Sequence, residues 1–134
     1  MKTTEVLKKL KYKSGMEALA INAPAGLSDE FVKAGMHILP GMPKYCFLIM
    51  FAPDSKDFLK FINRAVRLAD CDGYMWICYP KGASKIKTDL NRDKLWELMR
   101  PLDMRPVSLV AIDDTWSAMR FRPESLVKPG ESKK

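Results

Sequence analysis

Two stretches of this sequence leave little freedom in how the chain can fold. Tyr45 to Ala52 and Tyr74 to Tyr79 show none of the polar alternation expected of a sheet with one wet face. A strand of that kind needs cover on both faces, as in the interior of a parallel sheet. Pro53 closes the first run, and Pro80 and Gly82 close the second, because proline withholds a ladder N–H and glycine weakens a strand.

The intervening segments read as helices and turns. Thr3 to Tyr12 puts Val6, Leu7 and Leu10 on one face and lysines on the other, a short amphipathic helix expected to pack on its own domain. Met16 to Ala23 reads as a first strand, stopped by Asn22-Ala23-Pro24-Ala25-Gly26. Ser28 is the expected cap of a short helix through Phe31 that ends at Gly35. Asp54 or Ser55 caps a longer helix, with Phe58, Leu59, Phe61, Ile62, Ala65, Val66, Leu68 and Ala69 on its broad apolar face.

Asp72-Gly73 then reads as the turn into the Tyr74 strand. Thr88 and Asp89 are the expected caps of a third main helix carrying Leu95, Trp96, Leu98 and Met99, which Pro101 ends. Pro106 to Asp113 and Trp116 to Arg122 are two further strands. The link between them is too short for a helical crossover, so they are expected to form an antiparallel hairpin.

Strands alternating with helices imply parallel pairing through right-handed crossovers. The expected architecture is α/β: a small sheet of about five strands, four parallel plus a C-terminal antiparallel strand in a hairpin, flanked by helices. With the first three strands side by side in sequence order, both connecting helices would lie on one face. The other face would then be covered by the N-terminal helix, the third main helix or a second copy of the chain. Residues 1–123 are expected to form one domain and 124–134 a flexible tail.

Composition narrows the functional classes. At 134 residues, with 47% hydrophobic and 29% charged positions, the chain belongs among ordinary globular domains. The formal charge of +7 divides into +4 over residues 1–13, +1 over 124–134 and +2 for the body. A basic arm on a nearly neutral globule argues against a dedicated nucleic-acid surface. No apolar run reaches the roughly 18 residues needed to span a bilayer, so neither a membrane nor a secreted location is expected. Cys46, Cys71 and Cys78 form no C-x-x-C pair and read as reduced thiols of a cytoplasmic protein. His37 stands alone, a poor start for a metal site or a catalytic triad.

In an open parallel sheet, ligands bind beyond the carboxyl ends of the strands. Four such ends are readable, and they bring Asn22, Asp54, Lys81, Ser84, Lys85, Thr88, Asp113 and Trp116 to one edge. Lysines and helix amides there suit a phosphate or carboxylate, aspartates suit sugar hydroxyls or a base, and tryptophan suits a ring. The same residues also serve as solvated loop charges, turn and cap residues and core.

Asn22-Ala23-Pro24, Tyr79-Pro80-Lys81-Gly82, Thr88-Asp89-Leu90-Asn91-Arg92-Asp93 and the run from Ala111 to Arg122 resemble a small bacterial domain-of-unknown-function family, number three-zero-five-two. The resemblance extends from about Val6 to Pro123 and implies a cytoplasmic bacterial protein, with no catalytic residue to carry over. From Phe47 to Arg122 the order of elements is also similar to the second half of Rossmann-like methyltransferases that use S-adenosylmethionine, including the closing antiparallel strand. Here Gly26 stands alone where such enzymes have a G-x-G turn. The extra strand and helix that carry their ribose-binding acid are missing.

The leading expectation is therefore a non-enzymatic or regulatory module, without an evident cofactor, that binds a small anionic or nucleotide-like ligand at the strand ends. A homodimeric protein-interaction unit and a minimal methyltransferase-like enzyme are the alternatives.

Overall fold

A computed structural model of the chain describes residues 3–13, 15–82 and 86–126. Five strands make one sheet: β1 (Ala18–Ile21), β2 (Tyr45–Phe51), β3 (Ala69–Pro80), β4 (Met104–Ala111) and β5 (Trp116–Pro123). Their order is β1-β2-β3-β5-β4. β1, β2 and β3 pair in parallel, and β5 pairs antiparallel with both β3 and β4. Four strands thus run one way, with the closing strand set against them, which is the expected α/β architecture.

The apolar runs are buried on both faces, as their composition demands. On one face, Phe58 and Ile62 of α3 (Ser55–Leu68) and Leu95 and Met99 of α4 (Arg92–Met99) pack with Leu48, Met50, Met75 and Ile77. On the other, Val6, Leu7 and Leu10 from α1 (Thr3–Lys9) and its following turn join Phe31 of α2 (Ala25–Lys33). They pack with Phe47, Ile49, Trp76 and Cys78. The indole N–H of Trp76 donates to the Leu10 carbonyl at 3.0 Å, so the N-terminal helix is tied into its own domain.

The two crossover helices α2 and α3 lie on opposite faces, not on one as expected. The cause is His37, which forms an isolated parallel bridge to Leu19 on the outer side of β1. It donates to the Ala18 carbonyl and accepts from the Ala20 amide, both at 2.9 Å. The chain therefore leaves β1 in one direction through α2 and leaves β2 in the other through α3. Right-handed crossovers in opposite directions cover opposite faces. The phenol oxygen of Tyr45 accepts from the Gly41 and Met42 amides and steadies the return to β2.

Three local expectations also change. Ser28 does not cap α2; it lies inside the helix and donates its amide to Pro24. Asp72-Gly73 is not a turn, because β3 already begins at Ala69 and carries an irregularity where its pairing passes from Tyr45↔Ala69 to Phe47↔Tyr74. A Cβ on Gly73 would stand 2.6 Å from the Cys46 carbonyl oxygen, so only glycine lets the two backbones approach there. Finally, α4 is capped by Asn91, whose side-chain oxygen accepts from the Lys94 amide at 2.8 Å. Thr88 instead accepts from Leu90 in a local turn.

Among the described residues, no helix is long and apolar enough to cross a membrane, and no three histidine, cysteine or acidic residues group as a metal site. Cys46 and Cys78 are free thiols.

Candidate functional site

The chain reverses direction across the sheet at β1, between the His37 bridge on one side and β2 on the other. Such a switch point leaves a crevice at the carboxyl ends of the flanking strands, because the loops there diverge to opposite faces. Asn22 terminates β1 in the left-handed region, φ 58°. Its side-chain amide donates to the Phe51 carbonyl at 2.9 Å and to an Asp57 carboxylate oxygen at 3.1 Å. Asp54 caps α3 by accepting from the Asp57 amide at 2.9 Å.

A second acid closes the same helix end from a distant part of the chain. Asp89, in the β3–α4 loop, accepts from the Ser55 amide at 2.8 Å and also from the Ser55 hydroxyl. These bonds hold its carboxyl below the ordinary carboxylate range, burial opposing them weakly. The ends of β1 and β2, the start of α3 and the β3–α4 loop are thus connected through Asn22, Asp57, Asp54, Ser55 and Asp89.

Lys81 follows β3 and donates its amide to the Thr115 carbonyl at 2.8 Å. It lines a cleft of about 460 Å³ with Gly82, Ile86, Lys87, Thr88, Leu90 and Asn91. Ser84 and Lys85 lie outside the described residues. The helix amides expected near Thr88 are further along, since α4 begins at Arg92 and Asn91 caps it.

Asp113 and Trp116 belong to the same edge but are engaged by the fold itself. One carboxylate oxygen of Asp113 accepts from the Thr115 and Trp116 amides, each at 2.8 Å, and so shapes the β4–β5 turn. Trp116 is buried and meets Phe51 edge-to-face, ring centres 5.1 Å apart. Beneath this rim the Cys78 thiol is pushed well up, first by burial and then by the Asp113 charge. A protonated buried thiol is no nucleophile.

The sequence reading puts Asn22 and Asp54 in the site and has Ser55 only as an alternative cap of α3; it does not include Asp57, which completes the polar chain. Asp57 was legible as a first-turn acid of α3. Its bond to Asn22, 35 residues away, was not.

No family model matches the chain, and no curated relative does. Solved structures do. A methyltransferase from Aquifex aeolicus described as S-adenosylmethionine dependent aligns over 89% of this chain and 88% of its own, with 15% identity and a TM-score of 0.63. The mitomycin 7-O-methyltransferase MmcR aligns over 90% of this chain and 53% of its own, with 11% identity and a TM-score of 0.59. The Haemonchus contortus phosphoethanolamine N-methyltransferase 2, solved with S-adenosylmethionine, aligns over 94% of this chain and 38% of its own, with 16% identity and a TM-score of 0.51. The chain therefore has the Rossmann-like methyltransferase fold. The expectation of a protein without a cofactor is overturned by this comparison, since one neighbour depends on S-adenosylmethionine and another holds it. The comparison gives no support to the leading non-enzymatic reading.

Proposed function

We propose that this chain binds S-adenosylmethionine at the carboxyl ends of β1 and β2 and acts as a minimal methyltransferase on a small anionic acceptor. The observation that supports this best is the reversal at β1, in a chain whose fold is similar to that of methyltransferases. We extend the same reading to the small bacterial domain-of-unknown-function family that the chain resembles.

The residues present fit one end of the cofactor. Pro24 stands at the cap position of α2 with no side-chain hydrogen bond, and a Cβ on Gly26 would meet nothing within 4 Å. Open amides and the positive end of the helix dipole suit the amino-acid carboxylate. Asp54 and Asp57, at the start of the neighbouring helix, suit its ammonium and sulfonium charges.

The ribose end departs from the pattern of such enzymes. Ile38 and Leu39 follow the His37 bridge, both exposed, and neither offers a carboxylate to a sugar. Binding is accordingly expected to be modest, with Kd on the order of 10–1,000 μM.

When bound, S-adenosylmethionine supplies an electrophilic methyl group on a sulfonium. The chain's own residues would position the partner: Lys81, Lys87 and Thr88 line the cleft at the end of β3 and hold the acceptor's anionic group. Asp89 is held ionised by Ser55, so it accepts hydrogen bonds and does not serve as the acid.

Calorimetry with S-adenosylmethionine and S-adenosylhomocysteine tests this. Saturable binding is expected, together with its loss in Gly26→Asp, which puts a carboxylate into the open space at the first turn of α2. Absence of heat at millimolar ligand, or binding indifferent to Gly26→Asp, would overturn the proposal.

A further inference from the structure

The rim opposite the proposed cofactor crevice carries a cleft of its own. It is about 430 Å³ in volume and is lined, among the described residues, by Trp96, Arg100, Met104, Arg105 and Glu124. Met104 and Arg105 open β4, and Glu124 directly follows the last residue of β5. The whole of β4 separates this cleft from the carboxyl edge, about 23 Å at roughly 3.3 Å per residue. A molecule bound here would not touch one bound at the switch point.

The walls are built rather than loose. Asp103 takes the left-handed conformation, φ 58°, which turns the chain out of the Arg100–Leu102 3-10 turn and into β4. Its carbonyl accepts from the Glu124 amide at 2.8 Å, and Met104 pairs with Pro123 in the ladder. The two sides of the cleft are therefore joined by backbone hydrogen bonds.

Its chemistry is cationic and aromatic. The Arg100 guanidinium lies over the Trp96 ring, 6.0 Å from its centre. Arg105 stands 3.7 Å from a Glu124 carboxylate oxygen, close enough for attraction and too far for a hydrogen bond. The described lining thus carries two guanidiniums, Arg100 and Arg105, and a single carboxylate, Glu124. A planar guanidinium fork takes carboxylates and phosphates in a bidentate grip, and an indole face with an arginine beside it accepts a flat ring.

We infer that this cleft is a second binding site, for a small planar anion such as an aryl phosphate or aromatic carboxylate. The ring lies against Trp96 and Arg100, and the anionic group takes Arg105 from Glu124. This site is independent of the S-adenosylmethionine proposal and stands if that proposal falls.

The experiment is a titration of the full chain with 1-naphthyl phosphate, and separately with inorganic phosphate, at constant ionic strength, following the indole N–H resonances of the three tryptophans. Trp96 is expected to shift saturably with 1-naphthyl phosphate and more weakly with inorganic phosphate. The resonances of Trp76 and Trp116, both buried, stay in place and report that each variant is folded. Arg105→Gln is expected to weaken binding about tenfold, the loss expected for a charge-assisted hydrogen bond. Glu124→Gln frees Arg105 and should tighten binding several-fold. A Trp96 resonance that is still at roughly 10 mM ligand, an Arg105→Gln protein that binds like the parent, or a Glu124→Gln protein that binds no better would each overturn the assignment.

Discussion

Asn22, the residue that ends β1, is hydrogen-bonded to Asp57 in the first turn of α3 at 3.1 Å, while the same amide holds the Phe51 carbonyl at 2.9 Å. One side chain thus joins two strand ends and a helix at the point where the chain reverses across the sheet. Its left-handed backbone, φ 58°, is one that asparagine tolerates and alanine resists.

Two variants separate these roles. Asn22→Gly keeps the backbone conformation and loses the hydrogen bonds, at a cost of about 1–2 kcal/mol. Asn22→Ala loses the bonds and adds left-handed strain, about 1 kcal/mol more. Chemical denaturation midpoints, read with unchanged slopes, should rank the parent above glycine and glycine above alanine.

Asp89 gives a pH signature. Its folded pKa lies below the ordinary value of 3.8 because Ser55 donates to the carboxylate from both its amide and its hydroxyl. A depressed acid contributes stability that is complete above its unfolded pKa and is lost as pH falls through the folded one. The stability gap between parent and Asp89→Asn should therefore be constant from neutrality down to about pH 5 and should shrink below the unfolded value. A gap that persists unchanged at pH 2 would mean that the carboxylate charge is not what holds the loop to α3.

Gly73 tests the close approach of β2 and β3. Gly73→Ala would put a methyl group against the Cys46 carbonyl, and backbone cannot move aside as a flexible side chain can. A loss of about 1–3 kcal/mol is expected, the usual range for overpacking. Gly26→Ala, in open space and inside a helix, should instead be neutral or stabilising by up to about 1 kcal/mol.

Trp76 tests the anchorage of α1. Trp76→Phe keeps an aromatic ring in the core and deletes the donor to the Leu10 carbonyl, a loss of about 1 kcal/mol before any change in packing. Hydrogen exchange should rise in the first helix ahead of the sheet. Equal exchange throughout would show that α1 is held by its apolar face alone.

The sequence by itself determined the class of fold. Uninterrupted apolar runs need cover on both sides, helix-length spacers force parallel strands, and the short link between the Pro106–Asp113 and Trp116–Arg122 runs forces a hairpin; each of these rules acts between near neighbours. Only the tertiary structure decided which face each helix covers. That choice rests on two backbone hydrogen bonds between His37 and β1, and backbone pairing leaves no trace in side-chain periodicity. It also decided that Asp89 would close the end of α3, 34 residues away, and that Trp96, Arg100, Arg105 and Glu124 would meet at one rim. Such meetings depend on how the elements are stacked in space, which no local pattern of residues records.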